Sequence, residues 1–151
     1  MDNRIPPPLV AALVGLLMWL AARHLPGALE LPIEWRTSLA LVVLLAGIAI
    51  CLAGVLSFRR ARTTVNPLKP ETASALVSSG VYKYTRNPMY LGFATVLTAW
   101  SIFLAWPPAL LGVLGFVIYM NLFQIGPEER ALASLFGRAF TQYCSRVRRW
   151  L

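Results

Sequence analysis

Four apolar runs, Pro8 to Leu25, Trp35 to Phe58, Met89 to Trp106 and Ala109 to Gly126, are separated by two short breaks and, between the second and third, one long polar stretch. Eighteen residues at a helical rise of 1.5 Å span about 27 Å, close to the hydrocarbon thickness of a bilayer, and the second run is long enough to cross with a tilt. Pro107 and Pro108 stand between the last two runs. A proline pair cannot continue a helix without losing backbone hydrogen bonds, so a tight helical hairpin is predicted there. After Pro127, Leu132, Leu135, Phe136, Phe140, Tyr143 and Val147 recur at spacings of three and four between arginines. That spacing predicts an amphipathic helix on the membrane surface, its arginines on lipid phosphates and Gly137 dividing it in two.

The first run reads as a retained span rather than a cleaved signal peptide. Asp2 cancels Arg4 in the flank, and no small-residue cleavage site follows. The expectation is one all-α integral membrane domain over residues 1–151. It has four transmembrane helices, a C-terminal helical hairpin and then the amphipathic helix, with a loop over 63–88 and a tail over 127–151.

Composition agrees: 58% of residues are hydrophobic and 13% charged, far from the soluble average. The net charge of +8 does not point to nucleic acid, because the basic residues sit beside apolar runs and meet anionic headgroups instead. Of the 14 Lys and Arg, only Arg23 and Arg36 fall on one side of the threaded chain. The other twelve are Arg4, Arg59, Arg60, Arg62, Lys69, Lys83, Arg86, Arg130, Arg138, Arg146, Arg148 and Arg149. Positive charge stays inside, so both termini and the long loop are expected in the cytoplasm, in a bacterial inner membrane. Cys51 and Cys144 offer neither a disulfide framework nor a metal spacing. No metal is expected.

Chemistry is concentrated where the third span begins. The loop runs Thr63-Thr64-Val65-Asn66-Pro67, then Ala73 to Tyr82, then Tyr84-Thr85-Arg86-Asn87-Pro88-Met89-Tyr90. Tyrosines at this depth are ordinary interface anchors, but anchoring does not explain Arg86 and Asn87 among them. Glu128 and Glu129 follow the fourth span directly. Either they start the tail helix, where carboxylates favour the positive end of the dipole, or they are paired, because acids near hydrocarbon are costly alone. The proline hairpin brings the two span ends together, so Asn87, Tyr90 and Glu128 are expected to be neighbours in a polar pocket.

The stretch Leu76 to Gly92, with glycine, tyrosine and then Arg-Asn-Pro-Met-Tyr, resembles the signature of the isoprenylcysteine carboxyl methyltransferase and phospholipid methyltransferase superfamily. Glu128-Glu129 with Leu132, Phe136-Gly137, Tyr143 and Val147 to Trp150 resembles the family's acid pair and terminal helix. Together they cover about the last 90 residues. The resemblance implies a membrane methyltransferase that takes its methyl group from S-adenosylmethionine and gives it to a lipid or other hydrophobic acceptor. By position, Ser74, Ala75, Leu76 and Val77 would line the cofactor, with Tyr82, Asn87, Pro88, Met89, Tyr90 and Glu128 opposite. Glu128 would pair with the ammonium, Asn87 and backbone donors with the carboxylate, and tyrosine or apolar groups with the adenine. Arg86 and Glu129 are the candidates for catalytic roles.

Two positions depart from the family pattern. Asn87 replaces the histidine of eukaryotic members. Gln124 stands where carboxyl-methylating members have an arginine, which makes it the candidate substrate contact and puts prenylcysteine in question as the acceptor. The chain also has one N-terminal helix fewer than larger members.

Two other classes fit the composition, a small dimeric membrane transporter and a non-enzymatic scaffold. A transporter would normally carry an acid inside a span, and the middles of the four spans hold no Asp, Glu or Lys. The ordered loop is the scaffold's difficulty. Oligomeric state is left open by the sequence.

Overall fold

The computed structural model describes residues 5–61 and 75–151. Ser74, the loop residues 63–73, and Arg4, Arg62 and Lys69 of the charge count lie outside the described residues. Every described element is helical. Helix α1 runs Pro7–His24, α2 Ile33–Arg60 and α3 Pro88–Leu104, and a single 3-10 turn, Gly80–Lys83, precedes α3. After a second short turn, Pro107–Ala109, come α4 Leu110–Tyr119, a π-helical segment Met120–Ile125, α5 Gly126–Phe136 and α6 Arg138–Cys144. The four spans therefore begin or end within two residues of where the hydropathy places them. Three helical stretches, Pro7–His24, Ile33–Arg60 and Pro107–Phe136, are long and apolar enough to cross a membrane, and α3 is a shorter apolar helix of 17 residues.

One boundary differs from the sequence expectation. The fourth span does not stop near Gly126; it continues as a helix through Pro127 to Phe136. A proline inside a helix has no N–H to give and its ring crowds the carbonyl four residues back. Here the preceding turn is widened into the π segment, which is how a helix takes in such a residue without ending. Glu128 and Glu129 consequently lie inside a long helix, with Ile125 and Gly126 both helical before them, not at a fresh helix start. The dipole reading of the acid pair loses its basis. Gly137, at φ 48 and ψ −120, does separate α5 from α6.

Helices α2 and α3 make the closest pair. A Cβ on Gly92 of α3 would collide with the Cys51 thiol and stand 2.7 Å from the Gly47 carbonyl of α2. Small residues at this crossing let two backbones meet, the usual way helices associate where there is no water to exclude. Around α3, Tyr90, Ala94 and Leu97 pack with Val10 and Met18 of α1 and with Phe116, Met120 and Ile125 of the last span. At the end holding the proline hairpin, Trp106 Nε1 donates to the Pro26 carbonyl at 3.0 Å and Arg36 Nε to the Phe103 carbonyl at 3.0 Å. An apolar groove of about 860 Å³ lies over α3 between α1 and α2, lined among others by Gly15, Leu41, Leu44, Phe93 and Trp100.

Candidate active site

The opposite end of the bundle gathers the starts of α1 and α3 and the far ends of α2 and the last span. Gly80 takes a left-handed φ of +61, and a Cβ there would press to 2.7 Å from Ser57 Oγ of α2. The loop is thus laid directly on α2, with Tyr82 buried edge-on to Phe58 at 5.3 Å between ring centroids. Pro88 then opens α3, its missing N–H costing nothing at a first helical turn.

Across the hairpin, the Tyr90 hydroxyl donates to Glu128 Oε1 at 2.5 Å. The Tyr82 phenol is held above its ordinary pKa, first by burial and then by Tyr143 and the Glu128 charge. Tyr143 is raised as well, chiefly by burial, against a lowering pull from Arg86. Its hydroxyl donates to the Tyr82 carbonyl at 2.8 Å. Both phenols therefore stay neutral. Tyr82 places an aromatic face near the Glu128 carboxylate.

Glu129 points to a second cluster. Arg86 Nη2 lies 2.9 Å from its Oε1, and Arg149 grips it with Nη2 at 2.5 Å and Nε at 3.2 Å. Arg86 also donates through Nη1 to the carbonyls of Cys144 and Val147, at 3.2 Å each. Its Nε is buried with no partner among the described residues. Asn87 Nδ2 donates to the Arg149 carbonyl at 3.0 Å. Gln124 is fully buried; its Nε2 donates to the Ile5 carbonyl at 2.8 Å, while its Oε1 has no partner among the described residues.

The phospholipid methyltransferase family matches residues 35–139, more than half of the chain and the whole of this loop and hairpin. The chain belongs to that family. An uncharacterized protein of Haemophilus influenzae is 44% identical to it over 63 residues, 42% of this chain and 100% of that protein. Protein-S-isoprenylcysteine O-methyltransferase B of Arabidopsis thaliana is 26% identical over 116 residues, which is 75% of this chain but only 57% of the plant protein. No solved structure matches the chain.

In this member of the phospholipid methyltransferase family, the expected residues fall into three groups. Tyr82, Tyr90 and Glu128 share one cluster, with Tyr90 and Glu128 in direct contact. Arg86 and Glu129 form an ion pair, and Asn87 is tied to the C-terminal segment. Val77 and Pro88 are buried, Leu76 packs under Phe140, Tyr143 and Val147, and the Met89 carbonyl faces the Cys51 thiol at 3.4 Å. Ala75 is half-buried at the edge of the described loop, and Ser74 is beyond it.

Sequence reasoning missed Arg149 and Asn121. The amphipathic pattern sets the tail arginines together on lipid phosphates, yet Arg149 turns inward to Glu129. Asn121 Oδ1 accepts from Trp150 Nε1 at 3.1 Å. The acid pair was the available signal, since a carboxylate near hydrocarbon demands a cation and one tail arginine had to supply it.

Proposed function

We propose that this membrane protein transfers a methyl group from S-adenosylmethionine to a lipid-type acceptor at the cytoplasmic face. The observation carrying this reading is the set of polar groups gathered at this end of the bundle. A free amino acid end needs an acid for its ammonium and a donor for its carboxylate. Glu128, beside the neutral Tyr82 phenol and hydrogen-bonded to Tyr90, suits the first. The buried Arg86 Nε, without a partner among the described residues, suits the second. Leu76, Val77 and the tyrosine faces offer apolar cover for an adenine.

The donor's sulfonium supplies an activated methyl carbon. The residues' work is then alignment and exclusion of water. A nucleophilic oxygen, nitrogen or sulfur of the acceptor attacks that carbon in line, the carbon–sulfur bond breaks, S-adenosylhomocysteine leaves, and the acceptor's proton passes to solvent. A lipid-type acceptor is supported by the apolar groove over α3. Its wall residue Phe93 lies three residues, or about 4.5 Å along the helix axis, from Tyr90. The cytoplasmic placement is supported by the basic residues Arg59, Arg60, Lys83, Arg130, Arg138, Arg146 and Arg148, all carried on segments at the pocket's end of the bundle.

Calorimetric titration with S-adenosylmethionine in detergent tests the donor, and incubation of methyl-labelled donor with extracted membrane lipids tests the acceptor. The expected results are saturable binding, weakened in Glu128→Gln and Tyr90→Ala, and label in a lipid fraction. No saturation at millimolar donor would sink the reading.

A further inference from the structure

The C-terminal residues from Cys144 onward form a strap that joins the two halves of the site. On one side, the Arg148 carbonyl accepts from the Arg86 amide at 3.0 Å, and the Arg149 carbonyl accepts from Thr85 Oγ1 at 3.3 Å and Asn87 Nδ2 at 3.0 Å. With the Cys144 and Val147 carbonyls on the Arg86 guanidinium, the strap offers four backbone acceptors to three consecutive residues. Those residues, Thr85 to Asn87, lead directly into α3. On the other side, the Arg149 side chain holds Glu129 of α5 and reaches Asn121 Oδ1 at 3.4 Å, and the Trp150 indole donates to the same oxygen.

A guanidinium whose Nη1 and Nη2 are both engaged cannot turn about its axis without breaking several bonds at once. The direction of the remaining Arg86 Nε–H is therefore set by the strap and by Glu129. Glu129 in turn is held on both oxygens by Arg149, a two-pronged grip that fits a planar guanidinium and not a point charge. Burial does not dictate this arrangement, since the Arg149 side chain is 39% exposed. Val147 is buried with Phe140 and Tyr143, and the Trp150 ring packs against the main core, which leaves the Arg149 side chain between them to polar contacts.

We propose that Arg149 is a positioning residue for the cofactor: by gripping Glu129 it fixes the strap, whose carbonyls aim Arg86 and Asn87 at the donor's amino acid end. This rests on the reading of the pocket as an S-adenosylmethionine site. Arg149 itself touches no reacting atom. Its contribution passes through Glu129 and Arg86, so it appears in cofactor affinity before it appears in the chemical step.

The test uses the full chain in detergent, with S-adenosylhomocysteine titrated by calorimetry and hydrogen exchange at the Arg86 amide followed in parallel. Arg149→Ala is expected to raise the dissociation constant at least about tenfold, the loss typical when an outer partner of a binding group is removed. Arg149→Lys, which keeps the charge and the fold but not the two-pronged grip, recovers only part of the affinity. In turnover, the loss falls on the cofactor KM more than on kcat. Exchange at the Arg86 amide accelerates in both variants. Wild-type affinity together with wild-type Arg86 protection in folded Arg149→Lys overturns the proposal. A wild-type protein that takes up no S-adenosyl ligand overturns the cofactor reading instead, and exchange at Arg86 then decides the strap's role alone.

Discussion

Gly92→Ala is expected to loosen the α2–α3 crossing, and the structure gives both the sign and the size. The added methyl meets the Cys51 thiol, which can rotate aside, but also the Gly47 carbonyl at 2.7 Å and the Cys51 amide nitrogen at 3.0 Å, which cannot. The helices must move apart. Overpacking of this kind costs about 1–3 kcal/mol, and alanine's better helix propensity returns up to about 1 kcal/mol, so a net loss of up to about 2 kcal/mol remains. Gly115 of α4 is the internal control, because a Cβ there meets nothing within 4 Å. Gly115→Ala should therefore gain stability, by up to about 1 kcal/mol. The assay is thermal unfolding in a single detergent, where 1 kcal/mol corresponds to about 2–4 °C for a chain of this size. Because the Cys51 thiol contacts the Met89 carbonyl one residue before Tyr90, Gly92→Ala should also weaken donor binding. If Gly92→Ala and Gly115→Ala shift the midpoint in the same direction, the close-approach argument is wrong.

Three further outcomes are expected. Glu129→Gln leaves Arg86, 14% exposed, without its counter-charge and should cost about 2–3 kcal/mol, below the full figure for an interior pair because Glu129 is partly wetted; chemical denaturation checks this. The phenols of Tyr82 and Tyr143 have folded pKa values raised above the unfolded value of about 10. Their stabilising contribution is complete below about pH 10 and is lost as pH climbs above it, because the unfolded chain gives up its phenolic protons first. Midpoints at pH 9 and pH 11 should differ less in Tyr143→Phe than in the wild type. Finally, a fluorescent protein fused after Leu151 should light up and an alkaline phosphatase fused there should stay inactive, reporting a cytoplasmic C-terminus; the reverse pattern would invert the topology.

Much of the fold was legible because bilayer physics is written in runs of one residue class. The four spans and the Pro107–Pro108 hairpin need only length, hydropathy and the missing proline donor. The Tyr90–Glu128 contact followed from that hairpin alone, 38 residues apart in sequence. What was not legible depends on geometry that no period encodes. Pro127 reads as a break, and only the widened turn before it shows that the helix passes through. Glu128 and Glu129 read as one acid pair, yet they face different partners, the hairpin tyrosine and the two arginines. Arg149 looked like its exposed neighbours, since nothing in a run of tail arginines marks the one that turns inward. The pairing of Gln124 with the Ile5 carbonyl joins residues 119 apart and carried no signal at all.

The π segment at Met120–Ile125 also acts as a register pin. Such a turn is in effect one residue inserted into an α-helix, and adjacent helical residues point about 100° apart. Deleting a single residue there would regularise the helix and swing everything beyond it around the axis, carrying Glu128 away from Tyr90 and Glu129 away from both arginines. Length in this stretch is therefore as specific as composition: the last span tolerates many apolar substitutions toward the lipid, but not a change of one in its count.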